Sequence, residues 1–306
     1  MESNALTLDV WNYVLFTLEN FLNLLFIVVV CLLFYICVAQ RNLHINFRCL
    51  LALTGAGYLI CALLRFIIVT ARMCCIGQRV TPLINQLLIG QAIGGNLSIL
   101  AWLIVVFERA IATAFFSRYE KSCNNWIAPS LLSASVILLV AIVCCTLIFG
   151  NIGNVEIVWM GLQIFIVGLC FVALAIIVLF NLSAYRKRHN TMMELTNRYQ
   201  LDENIRGGRY LIPVALNDVI VKITYILLWS YSIFFTDIPL GFDTTHLSHA
   251  YDLLGAYQRV FFGLALTIRS QKLDHLFRRP KKAMKVIEKQ VTATTRYYND
   301  LKGMWS

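Results

Sequence analysis

The chain has 306 residues, 59% of them hydrophobic and 14% charged, with a mean hydropathy of +0.72 and a formal net charge of +10. A soluble domain of this length needs more polar surface, so the composition implies a membrane protein. The basic residues form no aromatic-interleaved patch but flank apolar stretches; they report topology and exclude a nucleic-acid partner.

From the N-terminus, residues 1–20 carry neither a basic n-region nor a small-residue cleavage site, so the first helix is expected to act as the insertion signal. Apolar runs of about 20 residues, the length that crosses ~30 Å of hydrocarbon, follow one another along the chain. They place spans at 21–39, 49–70, 82–107, 126–149, 157–180, 211–235 and 251–268, leaving a basic tail at 269–306. The expected fold is therefore all-α, a polytopic seven-helix transmembrane bundle. Its seventh span is the weakest, because Asp252, Gln258 and Arg259 interrupt it.

With the N-terminus outside and the C-terminus cytosolic, 21 of the 26 Lys and Arg residues fall on inner segments. Only Arg72 and Arg79 lie on outer ones, and Arg65, Lys222 and Arg259 lie within helices. No internal repeat is visible, which disfavours a carrier built from inverted halves. The Asn96-Leu-Ser98 and Asn181-Leu-Ser183 tripeptides fall in a helix and on the inner side, where glycosylation is not expected. Most of the ten cysteines sit in apolar runs as small core residues; Cys74 or Cys75, in an outer loop, could pair with Cys144 or Cys145.

The third span ends in Glu108-Arg109 at the inner boundary. Such a pair can hold one conformational state and be released in another to face a cytosolic partner, or it can be a boundary pair with snorkelling side chains. On the sixth span Asp218 and Lys222 are four residues apart and share a face, so they are expected to pair. Arg65, Asp252 and Arg259 extend a polar interior over the second and seventh spans. Gln86, Gln91 and Asn96 on the third span either line a ligand cavity or make interhelical hydrogen bonds, while Gly90, Gly94 and Gly95 allow close helix approach. The tail residues Arg278 to Lys289 either lie on anionic lipid or serve only positive-inside retention. No catalytic constellation is present, so an enzyme is not expected, nor is a metal or cofactor. Two readings remain, a receptor and a transporter or channel using the intramembrane charges as its path.

Seven spans and Glu108-Arg109 resemble a G-protein-coupled receptor plan, but the vertebrate rhodopsin-type motifs of the sixth and seventh spans are missing. Glu108-Arg109-Ala110-Ile111-Ala112-Thr113, Tyr119-Glu120-Lys121, and the stretch Arg198-Tyr199-Gln200-Leu201-Asp202-Glu203-Asn204-Ile205-Arg206 instead resemble the nematode serpentine chemoreceptors of the Sra superfamily, and class Sre within it. The resemblance implies a chemosensory receptor for an odorant or pheromone-like small molecule in the plasma membrane of a ciliated neuron, signalling to a heterotrimeric G protein. It also implies that Glu108 and Arg109 are the switch pair. Tyr119 and the third-inner-loop residues Arg198, Tyr199, Glu203, Asn204 and Arg206 are then expected near the G-protein face.

Overall fold

The computed structural model describes residues 10–39, 44–74, 81–115, 127–149, 155–188, 195–236 and 245–268. Among them the chain is all-helical: α1 Val10–Ala39, α2 Ile45–Cys74, α3 Thr81–Ala114, α4 Ile127–Phe149, α5 Val155–Arg188, α6 Leu195–Tyr231 with a π turn at Ser232–Thr236, and α7 His246–Ile268. Helices are what an apolar run must form in lipid, because only there does each backbone amide find a partner within its own segment. Six of the seven helices run beyond the apolar stretch that announces them. α6 does so most, so that Arg198 to Arg206 belong to its first turns and not to a loop.

Five helices are long and apolar enough to cross a membrane: α1, α2, α3 over Leu83–Ala114, α5 over Trp159–Ala184 and α6 over Asn204–Tyr231. The described apolar part of α4, Pro129–Cys144, is shorter. α7 trades apolar residues for an inward polar face of Ser248, His249, Gln258, Arg259 and Thr267. The molecule is a multi-pass membrane protein whose apolar side chains point outward, as Val28, Leu32, Ile137, Val140, Phe165 and Leu179 do, while its buried set includes Glu19, Arg65, Glu108, Arg109 and Asp218.

Side-chain pairings fix the directions of the helices. Glu19–Arg65 and Arg48–Cys37 run α1 and α2 antiparallel. Tyr225–Tyr251 and Asn217–Tyr257 do the same for α6 and α7. Asn12–His249 and Asn23–Arg259 lay α7 parallel to α1. The core they enclose includes Phe26, Leu50, Tyr58, Trp102, Leu174, Leu211 and Phe262, drawn from α1, α2, α3, α5, α6 and α7. As far as Thr267 these helices lie in one unit.

α2 and α3 approach at backbone distance. A Cβ added at Gly57 would lie 2.8 Å from the Ser98 amide nitrogen and 3.0 Å from the Gly94 carbonyl oxygen. Cys61 Sγ donates to the Gln91 carbonyl at 3.3 Å along the same seam. Small residues at such a seam let dispersion and short polar contacts replace the hydrophobic drive that lipid removes. Cys74 and Cys144 are free thiols.

Candidate functional site

At the end of the bundle where α1, α3, α5 and α7 begin, a cavity of about 640 Å³ opens between α2, α3, α4, α5, α6 and α7. Apolar and aromatic walls come from Ile89, Ile93, Ile99, Trp159, Tyr225 and Trp229, and polar ones from Arg65, Gln91, Asn96, Gln163, Asp252, Gln258 and Arg259. α3 supplies Gln91, half-buried, and Asn96, buried.

An ionic cluster forms one wall. Arg65 Nε donates to Glu19 Oε1 at 2.5 Å and Nη2 donates to Glu19 Oε2 at 3.2 Å, while Nη2 also binds the Asp252 carboxylate. One guanidinium thus bridges α1, α2 and α7. Beside it, Arg259 Nη2 donates to Asn23 Oδ1 at 2.8 Å. Nearer the N-terminal ends of α1 and α7, buried His249 meets Asn12 Oδ1 at 3.1 Å and packs edge-on against Phe16.

Below the cavity, the Asp218 carboxylate accepts from Trp102 Nε1 at 2.5 Å and from Gln258 Nε2 at 2.9 Å, tying α6 to α3 and α7. The expected Asp218–Lys222 pair is not formed. Lys222 Nζ instead donates to Gln163 Oε1 on α5 at 3.0 Å and lies 5.5 Å from the Tyr225 ring centroid. Spacing of four residues gave both side chains the same reach, but donors on neighbouring helices satisfy the carboxylate first.

At the opposite end of the bundle Arg109 Nε and Nη2 donate to the two Glu108 carboxylate oxygens, each at 2.6 Å. Its Nη1 donates to Asn204 Oδ1 at 3.2 Å, and the Asn204 amide donates to the Ala112 carbonyl at 3.3 Å. The guanidinium carbon sits 4.4 Å from the centroid of the Phe47 ring. Both charged residues are buried, with Glu108 at 0% and Arg109 at 1% exposure, so the pair is not a snorkelling one. Asn181 donates to Thr113 at 2.9 Å nearby, joining α5 to α3.

The structure therefore gathers Arg65, Gln91, Asn96, Asp252 and Arg259 around the cavity, with Asp218 and Lys222 one bond behind its wall. Gln86 stands exposed on α3 and does not line the cavity. Asn204 meets Arg109, while Arg206 is half-buried one residue pair further on. Arg198, Tyr199 and Glu203 lie on α6 with side chains outside the described set, and Tyr119, Cys75 and the tail lie outside the described residues. Sequence reasoning missed Glu19, Asn23, Phe47, Trp102 and Gln163, and read Gln258 only as an interruption of the seventh span. Glu19 enters the bundle because α1 begins at Val10, ahead of the apolar run.

A family model described as Sre G protein-coupled chemoreceptor matches residues 78–247, more than half of the chain. No curated protein matches it. The matched residues take in α3 to α6, with Glu108, Arg109, Asn204 and Asp218; Glu19, Arg65, Asp252 and Arg259 fall outside them.

Proposed function

The chain belongs to the Sre G protein-coupled chemoreceptor family, and on that premise we propose that it is a receptor whose external small-molecule ligand enters the cavity and whose opposite end, around Arg109, engages a heterotrimeric G protein. The charge bias along the sequence supports an outer N-terminus, which turns the cavity outward and the Arg109 cluster toward the cytosol. A volume near 640 Å³ suits an odorant-sized or pheromone-like molecule. The plasma membrane of sensory cilia is the location this reading implies.

The observation that carries the reading is the reach of α6. Tyr225 and Trp229 line the cavity, Asp218 holds α3 and α7 midway, and Asn204 holds Arg109 at the far end, all on one helix. A ligand that binds better to a displaced α6 shifts the population toward a state in which Asn204 leaves Arg109. Arg109 then exchanges an internal bond for a cytosolic one, a two-state change made of charge and packing. Every intramembrane carboxylate described here is engaged by arginine or by neutral donors on other helices, which favours a locked bundle over a permeation path.

The test is a screen of volatile and pheromone-like compounds on cells expressing the chain with a promiscuous G protein, beside the Arg109→Ala variant and an N-terminal epitope read on intact cells. Expected are a response in the parent, none in Arg109→Ala at equal surface amount, and an accessible epitope. An Arg109→Ala variant that signals normally would remove the switch assignment.

A further inference from the structure

The hydrogen bonds of the cavity wall do not balance by sign. Both carboxylates at the cavity end, Glu19 and Asp252, are held by Arg65. Asp218, behind the wall, accepts from Trp102 and Gln258. The positive groups fare differently. Lys222 has a neutral amide oxygen, Gln163 Oε1, and Arg259 has another, Asn23 Oδ1. Arg259 is 7% exposed, lines the cavity, and its Nε has no hydrogen-bond partner. A buried guanidinium with one neutral hydrogen-bond acceptor has donors to spare.

Gly255, one turn earlier on α7, also lines the cavity; a Cβ there would lie 2.7 Å from Tyr225 Oη and 3.5 Å from Arg259 Nη1, so the missing carbon makes room for the hydroxyl and the guanidinium together. A guanidinium fork matches a carboxylate in geometry and charge. Ile89, Ile93, Ile99, Trp159 and Trp229 also line the cavity and offer an apolar body a contact surface.

We infer that Arg259 is the anchor for an organic monoanion, a small molecule with one carboxylate head and an apolar body, in this cavity. The inference rests on reading the cavity as the receptor's ligand site and names the class of ligand it takes. Glu19 and Asp252 contribute to selectivity by keeping Arg65 occupied, so that the cavity-lining cation with a donor to spare is Arg259.

The experiment uses the full chain in lipid nanodiscs at neutral pH and follows tryptophan fluorescence, since Trp159 and Trp229 face the cavity. Hexanoate, neutral hexanamide and cationic hexylammonium are titrated separately. Expected is saturable binding of hexanoate, with hexanamide weaker by about tenfold or more, the scale of one lost charge-assisted hydrogen bond, and no saturable effect of hexylammonium. Arg259→Gln is expected to lower hexanoate affinity to that of hexanamide without changing the latter, and Arg259→Lys to keep part of the preference. Equal or tighter binding of hexanamide or hexylammonium, no saturable binding of hexanoate, or a hexanoate affinity unchanged in Arg259→Gln would overturn the inference. Should Arg259→Gln not fold, the order of the three probes on the parent chain and on Arg259→Lys decides. Because binding is read without a G protein, a chain that selects the anion yet never drives nucleotide exchange keeps this site and loses the receptor reading.

Discussion

Arg65 shows what a buried charge demands of its neighbours. A guanidinium inside a bundle is tolerated when carboxylates meet it in good geometry, and here two do, Glu19 from α1 and Asp252 from α7. Glu19 is itself buried, and its two oxygens both face Arg65. Replacing Glu19 with Gln keeps an amide oxygen but leaves Asp252 as the one carboxylate on Arg65, and is expected to lower the stability of the purified chain by about 1–3 kcal/mol. Thermal unfolding in detergent measures this, and an unchanged midpoint would mean that the pair adds nothing. Arg65 was legible from the sequence as an intramembrane charge, but its partner was not. Glu19 stands among residues 1–20, before the first apolar run, and nothing local links it to a residue on the next helix. The Asp218–Lys222 expectation failed for the related reason that spacing gives reach and not partner: Trp102, Gln258 and Gln163 come from three other helices.

Elements were easier to foresee than their ends. Apolar length marks a helix only where it lies in hydrocarbon, so all seven helices are legible in the sequence while the polar first turns of α6 read there as a loop. Close packing was legible in part, since Gly90, Gly94 and Gly95 announced a tight seam on α3. Gly57, the residue on α2 that faces Gly94 and Ser98, carried no such mark. Gly57→Ala is expected to reduce surface expression and thermal midpoint, because its methyl group would collide with backbone that cannot rotate away. Gly161→Ala on α5 is the control: nothing lies within 4 Å of the added carbon, and the change should be neutral or slightly stabilising. Equal damage in both would point to a general intolerance of alanine and away from the α2–α3 seam. α6 carries Pro213 inside it, between Asn204 and Asp218. The ring removes one rung of the backbone ladder there, giving the helix that joins the two sites a place to bend.

At the scale of the whole molecule the bundle has polar groups inside and apolar groups outside, with an aromatic-walled, charged cavity at one end and a neutral-bridged ion pair at the other. The central claim is that the Asn204 bridge restrains Arg109 and that ligand-driven movement of α6 releases it. This is tested most directly without any ligand, by measuring basal nucleotide exchange on a G protein in membranes carrying the parent chain, Asn204→Ala, Arg109→Ala, or both changes, at matched surface amounts. The expected result is raised basal exchange in Asn204→Ala and none in either chain that lacks Arg109. Exchange in Asn204→Ala no higher than in the parent, or persisting when Arg109 is also removed, would contradict it.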